Sequence, residues 1–448
     1  LGNETDLPLV RDTAQKAVPA LIAAVQGYRW TSSDPASDIS SARASYAALA
    51  LGQFGPAAKD AVPAIMKALE GGEFQIRKHA SQALLQIVSA DEAATLFAPR
   101  LQDQDPLAAA TAAKALTLFG RDAKDAADAL IQCLHRKRSS DESALLDYYT
   151  CEALARIGTA SEAVIPALTE ALDSESNEVC RYSAEALWQI GPAAKSAVPA
   201  LIRVVNRGDE STEQAAIDAL RRFGPAATDA VPVLTKTMES KRPYVRELAA
   251  TALTQILPAD EFVPLFVRLL QHENPECAAA AAHALRLLRS QAKAAAPALR
   301  QCLEIEPVYD ESGLIDKYRD LRRAAIQALG EIGAAPEEVV PALITQLTHE
   351  DVGARICAAA ALDSLGPEAK SAVPALMQAL SEGTPDYVRR RAAEALGQIG
   401  PAAKSATAGL TRLANSEPRD GEDADAWNLR KSAGNALKLI EPEDVPPK

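Results

Sequence analysis

Histidine followed by glutamate is the residue pair in this chain best suited to metal chemistry, because imidazole and carboxylate groups both coordinate divalent ions. The two pairs are His272-Glu273 and His349-Glu350. Both fall in acidic turns, where a solvated histidine is the expected state, and not on a helix face where ligands would converge. His79 and His283 lie in helical patterns, but neither has a partner at ligand spacing. The sequence therefore predicts no bound metal and no cofactor.

Acidic residues near the end of the chain form a second candidate cation site, for calcium. They are Asp420, Glu422, Asp423 and Asp425. Their order lacks the spacing of an EF-hand loop, so we predict solvated charge instead. The sequence also contains no Gly-rich phosphate loop, no nucleophile elbow and no serine or cysteine triad signature. We therefore predict that the chain is not an enzyme.

The cysteines carry no chemical signature either. They are Cys133, Cys151, Cys180, Cys277, Cys302 and Cys357, and no two of them form a CxxC pair. All six lie inside helical patterns and not in a short, loop-rich frame. We therefore predict reduced thiols in the core.

Composition favours a repeat array of helices over several separate domains. The chain has 448 residues, more than one compact core normally supports. Its residues are 48% hydrophobic but only 4% aromatic, so most apolar side chains are small aliphatic ones that suit closely packed helices. The net charge of -13 repels phosphate backbones. We therefore predict no nucleic-acid partner and a protein or peptide partner that is basic or neutral.

Location is only weakly constrained by the sequence. Charged residues interrupt every apolar stretch before it reaches the roughly 20 residues that a membrane-spanning helix needs. This predicts a soluble protein, with the cytoplasm slightly favoured. The first residue is Leu1 and not methionine, so a removed leader or an upstream domain is an open alternative.

A segment of about 33 residues recurs along the chain, which is the period of stacked helix pairs. GPAAKSAVPALIRVV from Gly191 returns as GPAATDAVPVLTKTM from Gly224 and as GPEAKSAVPALMQAL from Gly366. The proline in this segment marks about twelve units. A Ser or Asp three residues earlier, such as Ser196 or Ser371, is expected to cap the first helix.

The second helix of each unit has the clearest apolar pattern. Its main leucines are Leu84, Leu154, Leu187, Leu220, Leu253, Leu285, Leu329, Leu362 and Leu396. Apolar or small residues recur three, four and eight positions before each leucine, which is one face of a helix. The helix usually stops at Gly-Pro, as at Gly191 and Gly400, and we expect a left-handed cap there.

The second helix VRRRAAEALGQIG, from Val388 to Gly400, resembles the HEAT repeat family and its phycobilisome-lyase-like subgroup. The resemblance covers nearly the whole chain. It implies an all-α, right-handed α-solenoid of about twelve hairpins, forming a single domain over residues 1–448 with a lead-in at 1–18. It also implies a ladder of arginines bonded to the adjacent unit, at Arg77, Arg246, Arg322, Arg355, Arg389 and Arg430. Three ladder positions carry another residue in place of arginine, namely Asp147, Cys180 and Glu213.

Four insertions lengthen the turn between the two helices of a unit, and all should emerge on one edge of the solenoid. They lie near residues 28–41, 135–149, 304–320 and 415–427. They combine acidic residues with the aromatics Trp30, Tyr148, Tyr149, Tyr309, Tyr318 and Trp427. Aromatic anchors surrounded by charge are typical of binding surfaces. The alternative is that surface turns simply tolerate insertions.

The outward side of the second helices is the other predicted binding surface, since in HEAT solenoids it lines the concave groove. It carries Tyr46, Tyr149, Glu152, Tyr182, Glu185 and Trp188 among small or polar residues. We predict contact with a partner here. Packing under the fourth unit's insertion is the alternative.

The leading functional hypothesis is a non-enzymatic scaffold or adaptor that binds a protein or peptide through the concave groove and the insertion-bearing edge. A phycobilin-lyase-like or chaperone-like protein, acting on a bound chromophore or protein substrate, is the alternative that the subgroup implies. A third possibility is the repeat region of a longer protein whose activity lies upstream.

Overall fold

The computed structural model describes residues 7–27, 36–71, 74–136, 144–207, 209–308, 316–416 and 424–441. The chain divides into two compact units, Leu1–Ala230 and Val231–Lys448, called here the N-terminal and C-terminal units. Regular structure in the described part of the chain is helical. The predicted all-α solenoid class is confirmed, whereas the single domain over residues 1–448 stays a prediction.

Within the described residues, each unit contains six helical hairpins. The N-terminal unit holds α1 (Leu7–Gln26), α2 (Ala36–Gln53), α3 (Val62–Gly71), α4 (Phe74–Ile87), α5 (Ala90–Phe97), α6 (Pro106–Phe119), α7 (Ala127–Leu134), α8 (Ala144–Ile157), α9 (Val164–Ala171), α10 (Asn177–Ile190), α11 (Val198–Arg207) and α12 (Glu210–Phe223). The C-terminal unit holds α13 (Val231–Thr237), α14 (Pro243–Ile256), α15 (Ala259–Leu269), α16 (Pro275–Leu287), α17 (Ala296–Leu303), α18 (Arg319–Ile332), α19 (Pro336–Gln346), α20 (Val352–Leu365), α21 (Val373–Ala379), α22 (Asp386–Ile399), α23 (Thr407–Ala414) and α24 (Ala424–Ile440).

The even-numbered helices are the predicted second helices, and within each unit they pack side by side in chain order. All nine main leucines of these helices are fully buried. One hairpin cannot cover its own apolar face, so burial of these leucines requires the neighbouring hairpins. The core of each unit is therefore a continuous layer between its two rows of helices.

The Gly-Pro segments have a different local structure from the one that the sequence predicts. Gly191–Ala197 and Gly366–Ala372 are 3-10 helices that lead directly into α11 and α21. Ser196 and Ser371 lie inside these segments, two residues before α11 and α21 begin, and not at the cap position. The amide of Val373 donates to the carbonyl of Lys370, so the 3-10 backbone supplies the acceptor that we expected from a serine cap. The predicted serine caps are wrong for this reason.

Glycine is required at these junctions, but not for the reason that the sequence suggested. Gly191 has φ 77° and ψ -149°, and Gly400 has φ 72° and ψ -143°. These angles lie outside the left-handed helical region, in a region that essentially only glycine adopts. The 3-10 segment begins at this residue.

The predicted arginine ladder joins neighbouring hairpins only in part. Arg246 and Arg389 donate to the carbonyls of Ser240 and Leu380, which lie in the turn of their own hairpin. Arg246 also forms an ion pair with Glu276 of the next hairpin, at 2.7 Å. Arg246 and Arg389 therefore fix the turn that precedes their own helix.

Cys180 stands where the ladder arginine of its hairpin would be, and an arginine of the next hairpin replaces it. Arg207, at the end of α11, donates to the carbonyl of Leu172 at 3.0 Å and to the carboxylate of Asp173 at 2.9 Å. The turn before α10 is therefore fixed from outside its own hairpin.

Close contact between second helices makes one helical glycine sensitive to substitution. A Cβ atom at Gly330, on α18, would lie 2.6 Å from both Cα and Cβ of Ala361 on α20. We expect Gly330→Ala to lower the free energy of unfolding by about 1–3 kcal/mol, because the helices must move apart. Gly434→Ala is the control, since a Cβ atom there meets nothing within 4 Å. It should stabilise α24 by up to about 1 kcal/mol. Chemical denaturation of both variants measures the difference, and equal effects would contradict the close packing.

Candidate binding site on the second helices

Three of the aromatic side chains predicted to bind a partner, Tyr148, Tyr149 and Tyr182, come together on α8 and α10. Tyr148 lies between Tyr149 and Tyr182, with ring centroids 5.1 Å from the first and 5.2 Å from the second, both in edge-on arrangements. These three residues are called here the aromatic cluster. Edge-on packing stabilises such rings beyond their burial. The cluster lies on α8 and α10, which are adjacent second helices. It therefore belongs to the second-helix face that we predicted to bind a partner.

Cationic side chains cover the rings of this face. The guanidinium of Arg181 lies 4.2 Å from the ring centroid of Tyr182, and the ammonium of Lys114 lies 5.3 Å from that of Tyr149. Arg222 approaches the ring of Trp188 more distantly, at 5.8 Å. Cation–π contact holds the aromatic rings in place. The face therefore presents ordered, partly apolar ring surface with positive charge beside it.

A cleft of about 370 Å³ opens between α10 and α12, next to the aromatic cluster. It is lined by Arg181, Glu185, Trp188, Ser211, Gln214, Ala215, Asp218 and Arg221. Arg181 pairs with Glu185 at 2.7 Å, and Arg221 pairs with Asp218 at 2.9 Å. The cleft therefore contains the indole ring of Trp188, the side-chain amide of Gln214 and two ion pairs. Such a lining offers donors and acceptors to a peptide backbone and an apolar wall to a side chain.

Two predicted residues of this face lie apart from the cleft. The carboxylate of Glu152 is mostly buried and lies 3.4 Å from Arg156 on the same helix. Tyr46 is 68% exposed on α2, and its ring lies 6.3 Å from the ring of His79. Helices α4 and α6 separate α2 from α8, so Tyr46 is not brought to the aromatic cluster.

The predicted aromatics of the insertions are described only in part. Trp30 and Tyr309 lie outside the described residues, as do most of the insertion segments themselves. Tyr318 is partly buried at the start of α18, where its carbonyl accepts the amide of Arg322. Trp427 is 53% exposed on α24, with the ammonium of Lys431 at 4.9 Å from its ring. Tyr318 and Trp427 both belong to the C-terminal unit. Their role at a binding edge stays a prediction.

Burial changes the acid–base behaviour of the groups on this face. Burial, and then the carboxylate of Glu152, raise the pKa of Tyr148 and of Tyr149. Both phenols are therefore neutral hydrogen-bonding groups at physiological pH. All six cysteines are free and buried, as predicted. Burial raises the pKa of Cys151 to about 12, so this thiol lacks the thiolate form needed for reaction.

The histidines of the two His-Glu pairs have structural roles that the sequence did not suggest. Nδ1 of His272 accepts the amide of Asn274 at 3.1 Å, and Nδ1 of His349 accepts that of Asp351 at 3.0 Å. Each histidine thereby orders the turn before a second helix. Within the described ranges, no three His, Cys, Asp or Glu residues converge into a metal-binding group. Among the described helices, none has the length and apolar character to cross a membrane.

Several residues of the site were missing from the predicted set. Tyr148 was assigned only to an insertion, although its ring joins Tyr149 to Tyr182. Arg181 could have been found from its spacing of four residues to Glu185, which is typical of a helical ion pair. Gln214 and Asp218 had no sequence signal, because their place in the cleft depends on how α12 packs against α10.

Comparison with known protein families supports the repeat assignment. The family model described as HEAT repeats matches residues 94–189, 183–254, 231–315 and 311–397. The model described as PBS lyase HEAT-like repeat matches residues 44–71 and 388–415. No curated protein matches the sequence significantly.

Solved structures share the fold at low sequence identity. Yeast importin-beta (Kap95p) has a TM-score of 0.62 and 14% identity, covering 97% of this chain and 65% of that chain. Kap95p with RanGDP has a TM-score of 0.64 and 14% identity, covering 97% and 64%. Kap121p bound to the extreme C-terminus of the protein phosphatase Cdc14p has a TM-score of 0.58 and 12% identity, covering 98% and 57%.

This chain therefore spans less than two thirds of the length of those solved structures, and the likeness shows the fold alone. The family assignment is stronger. The segments that match the HEAT repeats model together run from residue 94 to residue 397, which is more than half of the chain. The protein belongs to the HEAT repeat family.

Proposed function

We propose that this protein is a non-enzymatic scaffold or adaptor, which holds a protein or peptide segment on the second-helix face of its N-terminal unit. The observation that carries the proposal is the aromatic cluster beside the α10–α12 cleft. Tyr149, Tyr182 and Trp188 hold ring surface in position before any partner arrives, which reduces the entropic cost of binding. Aromatic and arginine side chains are also the residues that most often dominate binding energy.

The partner segment is neutral or basic overall, because the chain carries a net charge of -13. Related solenoids support a protein or peptide as the ligand. One solved structure of Kap121p is bound to the C-terminus of a phosphatase, and one of Kap95p is bound to RanGDP. The insertion-bearing edge is the second surface that we assign to the partner.

Replacing Tyr149, Tyr182 and Trp188 together by alanine is expected to reduce partner capture at least about tenfold. The reason is the loss of three ring surfaces, each of which contributes on the order of 1–2 kcal/mol at an interface. The immobilised protein is incubated with extract of its native source, and bound proteins are quantified by mass spectrometry. Far-ultraviolet circular dichroism should show unchanged helicity, because all three side chains are partly exposed.

The matched control is the double variant Tyr244→Ala and Tyr387→Ala, which removes exposed rings from second helices of the C-terminal unit. It should keep the proteins that the wild type captures. Equal capture by wild type and triple variant would rule out this face.

A phycobilin-lyase-like function is the second candidate, and the PBS lyase HEAT-like match at residues 44–71 and 388–415 favours it. Neither matched segment contains the aromatic cluster or the cleft. Titration with bilin tetrapyrroles, followed by absorption spectroscopy, separates the two functions. A bilin spectrum altered by the wild type and equally by the triple variant would favour the chromophore function.

A further inference from the structure

A hydrogen bond just before the second helix recurs in six hairpins of the described chain. In each, the side chain two positions before the N-cap residue accepts the backbone amide of that residue, at 3.0–3.3 Å. The acceptors are Asp103, Ser174, Ser240, His272, Asp316 and His349, before α6, α10, α14, α16, α18 and α20. Such bonds from side chain to backbone fix the direction in which the chain enters the helix.

Histidine is the acceptor in this set whose charge changes near neutral pH. A backbone amide can only donate, so Nδ1 of His349, 3.0 Å from the amide of Asp351, carries no proton in this turn. Protonation of Nδ1 turns the acceptor into a donor and breaks the bond. Serine and aspartate side chains at the same position keep an oxygen acceptor between about pH 7 and pH 5.

The surroundings of His349 disfavour the charged imidazolium. Burial lowers the pKa of His349, and the positive charge of Arg322 on α18 lowers it further. The carboxylates of Asp351, Glu350 and Asp316 act in the opposite direction. The net effect lowers the pKa, so the neutral ring is the state that the folded protein selects.

The amide that His349 holds belongs to the residue that joins α20 to α18. The carboxylate of Asp351 caps α20 by accepting the amides of Gly353 and Ala354, at 3.2 Å and 2.9 Å. The same carboxylate accepts the guanidinium of Arg323 on α18, from Nε at 2.7 Å and from Nη2 at 2.5 Å. A change in the backbone at Asp351 therefore affects both the helix cap and the contact between two hairpins.

The matching bond at His272 has different surroundings. Nδ1 of His272 accepts the amide of Asn274 at 3.1 Å, but Nε2 lies 3.4 Å from Oε1 of Glu239 in the preceding hairpin. An imidazolium at His272 gains an ion pair as it loses the amide, and the two effects oppose each other. His272 is therefore the weaker candidate for an acid-sensitive turn.

We propose that His349 is an acid-sensitive switch: protonation of its ring releases the amide of Asp351 and loosens the start of α20 and its contact with α18. The switch does not depend on the proposed function, because α18 and α20 belong to the C-terminal unit. The folded protein disfavours the imidazolium. The stabilisation that neutral His349 gives is therefore complete above about pH 6.5, the ordinary pKa of histidine, and is lost as the pH falls below it.

Hydrogen exchange of the full chain at about pH 7 and pH 5, corrected for the intrinsic rate and followed by mass spectrometry, tests the switch. At the lower pH, the first turn of α20 should exchange about two- to tenfold faster, the range for loss of one neutral hydrogen bond. The turns before α10 and α14, which have the serine acceptors Ser174 and Ser240, should not change.

Two variants separate the acceptor from the charge. His349→Ser places at this turn the acceptor found in two other hairpins, so it should keep the protection of the wild type at neutral pH and show no acid-induced rise. His349→Ala removes the acceptor and should exchange faster at both pH values. The other histidines are unchanged in both variants, so acid effects that arise from them remain.

Each other outcome overturns the switch. An acid-induced rise at α20 that persists in His349→Ser assigns the effect to another group. An equal rise at the turns before α10 and α14 shows a general loss of structure in acid. Full protection of α20 in His349→Ala at neutral pH shows that the bond to Asp351 does not hold the turn, and a wild type that is equally protected at both pH values shows no switch at all.

Discussion

Replacing Arg322 by methionine is expected to lower the free energy of unfolding of the C-terminal unit by about 3–5 kcal/mol. Only 1% of this side chain is exposed. Its guanidinium donates to the carbonyl of Ile305 at 2.6 Å and to the carboxylate of Asp316, on opposite sides of the connection between α17 and α18. The substitution leaves a mostly buried carboxylate and a carbonyl without their donor, which costs more than the lost contact itself.

The backbone around Asp316 makes this effect larger. The amide of Lys317 donates to the carbonyl of Val308 at 2.8 Å, and Oδ1 of Asp316 accepts the amides of Val308 and Tyr318. The two ends of the connection are therefore closed against each other, with Arg322 beneath them. Loss of the arginine should therefore weaken these backbone hydrogen bonds, in addition to removing the ion pair with Asp316.

Chemical denaturation, followed by far-ultraviolet circular dichroism, measures the effect of Arg322→Met. The control is Arg319→Met on the same helix, because Arg319 is 40% exposed and pairs with the exposed Asp320. Surface pairs of this kind contribute about 0–1 kcal/mol. Similar losses in the two variants would show that Arg322 does not hold the connection.

Replacing Leu220 by alanine is expected to cost about 2–5 kcal/mol in the N-terminal unit. Leu220 is fully buried on α12, where α10 and α11 pack against it. The truncation removes apolar contact and leaves a cavity that neighbouring helices close only partly. Because adjacent hairpins stabilise each other, the loss should spread to α10.

Thermal denaturation measures this loss, since each kcal/mol lowers the midpoint by about 2–4 °C in a unit of this size. Leu85→Ala is the matched control, because Leu85 lies on a second helix of the same unit and is 47% exposed. It should change stability by no more than about 0.5 kcal/mol. An unchanged midpoint in Leu220→Ala would contradict the equivalence of the repeats.

Helical periodicity predicted which side of each second helix carries the candidate site, but not which residues of that side contact one another. The positions of Tyr149, Tyr182 and Trp188 relative to the main leucines placed all three on the exposed side of second helices, because helical periodicity alone decides which side faces the core. The same periodicity also selected Tyr46, which lies on α2, with α4 and α6 between it and α8. The pattern therefore identifies a face, but it does not identify which residues of that face meet.

The sequence by itself determined the helical hairpins, their number and the buried leucines, since each follows from propensity and apolar spacing within one repeat. Tertiary structure alone decided that Arg207 replaces the arginine missing at Cys180, that Tyr148 joins two rings, and that the ammonium of Lys114 lies over the ring of Tyr149. These contacts join residues of different helices. They depend on side-chain direction and on the distance between packed helices, and neither quantity is encoded in the spacing of residues along a single helix.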